Sequence, residues 1–325
     1  MSAEPAEPPQ PPRSAAEPPR SAAEPARSLL CLGEALVDLI CERHVQSVAQ
    51  ADCLVPHFGG AVANVALLAA RAGARVALAG GVGDDDWGRW LREQLQDAEV
   101  QLSWFELIDG LTTPMALATV DDAGEARYTI YGETIGSVVH ALRNRLEEAV
   151  DASAGLFISS NTLVGEDERD VTMRARELML ERRRPVVFDP NLRLHRWRSR
   201  ADAAASANAC VPGALLVRAN AVEARLMTGE DDLERAALAL LKAGARNVVI
   251  TLGADGALLR GKFRADVPGV PAARLLSTIG AGDVLTATLL ARLAASAWYE
   301  PAIAAGLRDA VAAAARACER WGAVD

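Results

Sequence analysis

The stretch Ser277-Thr278-Ile279-Gly280-Ala281-Gly282-Asp283 sets one carboxylate behind three small residues, where an apolar helical pattern begins. A helix N-terminus carries unpaired N–H groups and the positive end of a dipole, so it stabilises anions, and glycine lets backbone approach a ligand closely. Asp283 can therefore be a helix cap, or a general base whose neighbours Gly280, Ala281 and Gly282 offer amides to developing negative charge. In "NAVE" (220–223), Asn220 is followed three residues on by Glu223. A carboxylate beside phosphates needs a cation, so Glu223 reads either as a magnesium partner, through water, or as a surface helix glutamate. In "TLGADG" (251–256), Thr251, Gly253 and Gly256 form a turn suited to close approach by a nucleotide, although many strand-to-helix turns carry two glycines. "FGGAVANVA" (58–66) pairs Gly59 and Gly60 with Asn64 in the first turn of a helix. Asp38 and Asn64 are short polar groups of the kind that fix sugar hydroxyls; Asn64 can equally be a helix-start residue.

These residues need elements to place them. Short apolar β-rich runs alternate with helical patterns: "LLCLG", "RVALAGGVG", "GLFISS", "PVVFDP", "ALLVRAN" and "NVVITLG" read as strands, while "ANVALLAARAG" and "DDDWGRWLREQLQDA" read as helices. The alternation predicts an α/β fold with a mostly parallel sheet covered by helices on both faces. Glu34, Asp38, Asn161, Asp189, Asn220 and Thr251 are all expected at or after carboxyl ends of strands, the edge where such sheets bind ligands. "TPMALATVDDAGEARYTIY" (113–131) breaks the rhythm as a β-hairpin turning at Asp121–Gly124. With the stretch near 38–57 it is expected to form a small protruding sheet, a lid.

Half of the 325 residues are apolar, and the net charge of -9 argues against a nucleic-acid partner or an anionic membrane surface. Five cysteines without a C-x-x-C pair and four scattered histidines disfavour a zinc site or a disulfide framework and suit a reducing cytoplasm. Residues 1–28 hold eight of the sixteen prolines, repeat "PPRSAAE" in tandem, and have no large apolar side chain beyond Met1. They are expected to be a disordered tail preceding a single domain over 29–325. No apolar run approaches the length of a transmembrane helix.

In their order, "GEALVD", "GGAVANVALLAARAGARVALAGGVGDDDWG" (59–88), "FDPNLRLHRW" (188–197), "NAVE", "VVITLGADGALL" and "GAGD" give a sequence that resembles the PfkB, or ribokinase-like, family of carbohydrate kinases over 29–325. "SSNTL" and "DPNLR" look most like its fructokinase and 2-keto-3-deoxygluconate kinase branch. The resemblance implies a three-layer αβα sandwich with a small β-sheet lid, strands of the lid falling within about 38–57 and 105–131. It implies an ATP- and Mg²⁺-dependent enzyme in which Asp283 takes the proton of a sugar hydroxyl and Gly280, Ala281 and Gly282 form an anion hole. Asp38, Gly59, Gly60, Asn64 and Arg193 would hold the sugar. Asn220, Thr251, Gly253 and Gly256 would border the nucleotide, Glu223 would organise the metal, and the lid would serve as the surface of a homodimer. Ser277 and Ile279 stand where relatives often carry Asp and Thr, which puts activation by a monovalent cation in doubt. Tyr131 is followed by Gly132 and Glu133 instead of an arginine, which weakens the case for an acidic sugar. A fructokinase-like activity is the leading expectation. The alternatives are 2-keto-3-deoxygluconate kinase and a catalytically silent sugar- or nucleotide-binding protein.

Overall fold

The computed structural model describes residues 27–132, 139 and 142–324. The proline-rich segment 1–26, expected to be disordered, and Glu133 lie outside these residues. Along the chain come β1 (Ser28–Leu32), β2 (Leu36–His44), β3 (Val55–Gly59), α1 (Ala61–Arg71), β4 (Val76–Gly83), α2 (Asp86–Asp97) and β5 (Gln101–Ile108). Then follow β6 (Met115–Val120), β7 (Ala126–Tyr131), α3 (Leu146–Asp151), β8 (Ser153–Ser159), α4 (Glu166–Glu181), β9 (Val186–Asp189), α5 (Arg200–Ala209) and β10 (Leu216–Asn220). The chain closes with α6 (Ala221–Thr228), α7 (Leu233–Lys242), β11 (Asn247–Thr251), β12 (Gly256–Gly261), β13 (Ala265–Pro268), α8 (Ala281–Ala295) and α9 (Pro301–Ala317).

The large sheet has the order β13-β12-β11-β10-β9-β8-β1-β4-β5 and is parallel from β5 to β11. Every residue of β1 is buried, as a central parallel strand requires. Alternation along it assigns the two faces. Leu29 and Cys31 pack with α1, α2, α8 and α9, whereas Leu30 and Leu32 pack with α3, α4, α5, α6 and α7. This is the expected three-layer sandwich. Its topology also locates a ligand crevice. The chain leaves β1 toward β4 and β5, then returns to β8 on the other side, so the winding reverses at β1.

The lid is a separate sheet of order β3-β2-β6-β7, with its own small core of Ile40, Ala118, Val120 and Ile279. The hairpin turn closes as its residue types demand: Asp121 Oδ1 accepts from Ala123 N at 2.9 Å and the Asp121 carbonyl from Gly124 N at 2.9 Å. Three boundaries differ from the sequence expectation. Ser28 already belongs to β1 and is buried, so the domain begins before residue 29. Residues 105–108 are not lid; they lie in β5, the edge strand of the large sheet, paired with β4. Asp38 does not end a strand of the large sheet but sits third in lid strand β2.

Candidate active site

One cavity of about 1020 Å³ runs along the carboxyl ends of the strands beneath the lid. At the end next to the winding reversal, Glu34 follows β1 and is fully buried. Its Oε1 accepts from the Ala61 amide at the start of α1 (3.0 Å) and from Asn161 Nδ2 after β8 (2.7 Å). Arg196 Nη1 donates to the Asn161 carbonyl and Oδ1 at 3.1 and 3.2 Å. This chain of contacts ties together three loops from both sides of the reversal. It also fixes the first turn of α1, and with it Asn64. Gly60 caps that turn at φ 96, where a side chain is strained, and a Cβ would also stand 2.7 Å from the Glu34 carbonyl.

Asn64 Nδ2 donates to Asp283 Oδ2 at 2.9 Å, while its own Oδ1 has no partner among the described residues. Asp283 lies in the first turn of α8, half-buried on the cavity wall. Burial raises its pKa to about 7; the Asn64 hydrogen bond opposes that shift, Asp189 adds to it, and Arg193 and Arg218 oppose it. Asp38, only 6% exposed, is raised to about 7 for the same first reason, with Arg193 opposing and Asp283 adding. Arg193 lies 5.0 Å from the Tyr128 ring of the lid and faces the same cavity. Gly59 is not on the wall. It backs Asp38: a Cβ there would come within 2.5 Å of Asp38 Oδ2. The missing side chain at Gly59 leaves space for that carboxylate.

The centre of the cavity is built on Gly280 at φ 74, whose left-handed turn aims the chain into α8. Gly280, Ala281, Gly282 and Asp283 all line the wall. Beneath Gly282 lies a guanidinium that the sequence reading missed. Arg218, on β10, would stand 2.8 Å from a Cβ at Gly282. Its Nη1 donates to Asp189 Oδ2 at 3.1 Å and its Nη2 to Thr251 Oγ1 at 2.9 Å. Thr286 Oγ1 completes Asp189 at 2.9 Å. Burial disfavours the Arg218 charge, but Asp189, Glu223 and Asp283 more than offset it, so its pKa is raised. A signal was available: a lone arginine in the apolar run "LLVRAN" must find a buried partner, and Asp189 ends the adjacent strand β9.

Toward the other end, Asn220, Thr251, Gly253 and Gly256 line the cavity. Beyond them the wall turns apolar, with Val270, Leu275 and, from α9, Val311 and Ala314. Val270 and Leu275 are 43% and 44% exposed, an apolar rim fit for a flat ring. The sequence reading had not singled out this wall.

Glu223 does not face the cavity. Its Oε2 accepts from Asn220 N (2.9 Å) and its Oε1 from Leu192 N (2.8 Å), while Asn220 Oδ1 accepts from Glu223 N (2.9 Å). This is a capping box at the start of α6, tied to the loop that carries Arg193. Burial and Asp189 raise the pKa of Glu223, with Arg218 opposing. The described residues offer no ready-made set of direct magnesium ligands. Both Glu223 oxygens are committed to backbone, Asp189 is committed to Arg218 and Thr286, and no group of three His, Cys, Asp or Glu among the described residues could hold a metal. No helix among the described residues is long and apolar enough to cross a membrane.

Comparison with known proteins agrees with this geometry. Residues 26–325 match the profile described as pfkB family carbohydrate kinase. Fructokinase-1 of Oryza sativa subsp. japonica is 30% identical over 267 residues, 82% of each chain. The aminoimidazole riboside kinase of Salmonella typhimurium is 28% identical over 302 residues, 90% of this chain and 89% of that one. Among solved structures, a fructokinase double mutant from Vibrio cholerae, bound to fructose, ADP and potassium, superposes with a TM-score of 0.80 at 28% identity, covering 92% of this chain and 94% of that one. A carboxylate in the first turn of α8, polar side chains on one side of it and an apolar wall on the other are thus explained together: the chain belongs to the pfkB family of carbohydrate kinases and is an ATP-dependent sugar kinase.

Proposed function

We propose that the acceptor is a neutral, polyhydroxylated hexose, with fructose first among candidates. The observation that carries this reading is the charge of the acceptor pocket. Glu34, Asp38 and Asp283 are carboxylates on its wall, Asn64 adds beside Asp283 a carbonyl oxygen without a partner among the described residues, and Arg193 stands over Tyr128 facing Asp38 and Asp283. Such a pocket offers acceptors to hydroxyl donors and repels a carboxylate, so it suits fructose better than 2-keto-3-deoxygluconate. The fructokinases among the relatives support the same choice.

In this reading Asp38 and Asn64 hold the sugar and present one hydroxyl to Asp283. Asp283 accepts the proton as the oxygen bonds to the γ-phosphorus of ATP and the bond to the ADP oxygen breaks. The amides of Gly280, Ala281 and Gly282 face the charge on the transferring group, and Arg218 beneath them adds a fixed positive charge. Val270, Leu275 and α9 take the adenine, with the 251–256 turn against the phosphates. ADP release with D-fructose, other neutral hexoses, a riboside and 2-keto-3-deoxygluconate tests the proposal. Highest kcat/KM with a neutral hexose is expected; preference for the acidic sugar would overturn it.

A further inference from the structure

The segment 275–279 enters the anion hole, and it is clamped from two sides. On the side of the large domain, the Cys318 carbonyl after α9 accepts from Leu276 N (2.8 Å) and Ser277 N (3.2 Å). On the side of the lid, the Gly124 carbonyl at the hairpin tip accepts from both Thr278 N (2.9 Å) and Thr278 Oγ1 (3.0 Å). The isobutyl group of Leu275 lies against Gly124, where a Cβ would come within 2.9 Å of it. His44, the last residue of β2, places Nε2 2.8 Å from the Leu276 carbonyl. The next residue along, Ile279, is 3% exposed although it belongs to neither sheet. Its side chain completes the core of the lid with Ile40, Ala118 and Val120, against Tyr128 and Ala126. Its amide donates to Ser277 Oγ at 3.0 Å. The residue after it is Gly280, the left-handed turn that sets the direction of the amides of the anion hole.

We propose that Ile279 is a positioning residue that registers the lid sheet against the anion hole, so that the two move as one unit. The apolar side chain is a key seated among three strands of the lid, and its backbone is one bond from the turn that presents the amides. A lid that lifts must extract Ile279, which burial disfavours, or carry the Gly280 turn with it. A correctly seated lid thereby confers a correctly aimed anion hole, at the same time as it keeps water from the phosphoryl group. The kinetic part of this inference rests on the sugar-kinase reading above; the coupling itself does not.

The experiment compares wild type, Ile279→Ala and the conservative Ile279→Val, each with a thermal melt. Turnover in Ile279→Ala should fall by about 10- to 100-fold, the loss expected when a phosphoryl-stabilising group is misplaced by about 1 Å. The KM for ATP should change by no more than about 2-fold, because the nucleotide wall is untouched. The ratio of ADP released to sugar phosphate formed should rise above one, because water now competes. Its oxygen bonds to the γ-phosphorus while the bond to the ADP oxygen breaks, giving ADP, phosphate and a proton. Ile279→Val, which retains most of the buried side chain, should restore a ratio near one. Hydrogen exchange reads the coupling without turnover: Ile279→Ala should speed exchange in 115–131 and in 280–283 together. An ADP-to-product ratio unchanged in Ile279→Ala, or faster exchange in the lid alone, would overturn the proposal. If Ile279→Ala fails to fold, the exchange pattern of Ile279→Val decides: faster exchange in 115–131 and 280–283 together supports the coupling, and faster exchange in the lid alone overturns it. Wild-type enzyme inert toward every neutral sugar would count against the substrate reading, and the exchange data would still judge the coupling.

Discussion

The hydrogen bond from Asn64 to Asp283 gives the assignment of the base a quantitative test. In the ligand-free protein Asp283 is raised to about 7 by burial, and the Asn64 amide, at 2.9 Å, holds it lower than burial alone would. Asn64→Ala removes that donor. A hydrogen bond to a charged group contributes roughly 1.5–3 kcal/mol, and each 1.36 kcal/mol is about one unit, so the pKa of Asp283 should climb by about 1–2 units. The direction is fixed by the chemistry: losing a donor to the carboxylate favours the protonated form, which cannot accept the hydroxyl proton. The acidic limb of kcat/KM, which reports the free enzyme, should therefore move from near pH 7 to about pH 8–9. At pH 7 this alone lowers kcat/KM by roughly 5- to 50-fold, and the gap should narrow by about pH 9.5. Loss of a sugar contact at Asn64 would lower the whole curve without moving its midpoint, so the two effects separate. The assay is ADP release at low fructose from pH 5.5 to 9.5. An Asn64→Ala limb that coincides with wild type would refute the reasoning that Asp283 titrates as the base.

Other expectations follow from the same contacts. Arg218→Met leaves Asp189 buried without its cation and should cost roughly 3–5 kcal/mol in urea unfolding, together with a large loss of turnover. A stable, active Arg218→Met protein would remove Arg218 from both roles. Glu223→Ala breaks the capping box and should lower stability by about 0.5–2 kcal/mol, while its Mg²⁺ titration superimposes on wild type. A shifted Mg²⁺ curve would return Glu223 to the metal. Ser277 Oγ is fully buried and accepts from Ile279 N, and a hydroxyl offers a cation only a dipole, so rates in K⁺ and in tetramethylammonium at equal ionic strength should agree. Saturable, several-fold activation by K⁺ would contradict this.

What could be read from the sequence divides along physical lines. The central strands were legible because both their faces are buried, which leaves short continuous apolar runs such as "SLLCL". β5 was not, since as an edge strand it is only partly buried, with Trp104 and Phe105 its two buried residues, and it merges with the lid strands that follow in the sequence pattern. Asp283 was legible because small residues before a helix have few other uses. Glu223 was ambiguous because a capping box and a metal-organising pair share the same three-residue spacing; the structure shows the capping box, with both carboxylate oxygens bonded to backbone amides. Arg218 and the Glu34–Asn161–Arg196 chain depend on which strands lie side by side, and that order reverses at β1. No local pattern records a reversal. The apolar wall of Val270, Leu275 and α9 was hidden for the same reason, its parts being about forty residues apart in sequence.

The most direct test of the account is Asp283→Asn, which keeps the shape of the side chain and removes the base. The account predicts that turnover with fructose and ATP falls by about 10²-fold or more, the low end for loss of a general base. Calorimetric binding of fructose and of ATP should stay within a few-fold of wild type, since Asp38, Asn64 and the nucleotide wall remain. Near-normal turnover by Asp283→Asn would contradict the central claim, for the carboxylate in the first turn of α8 would then be only a cap.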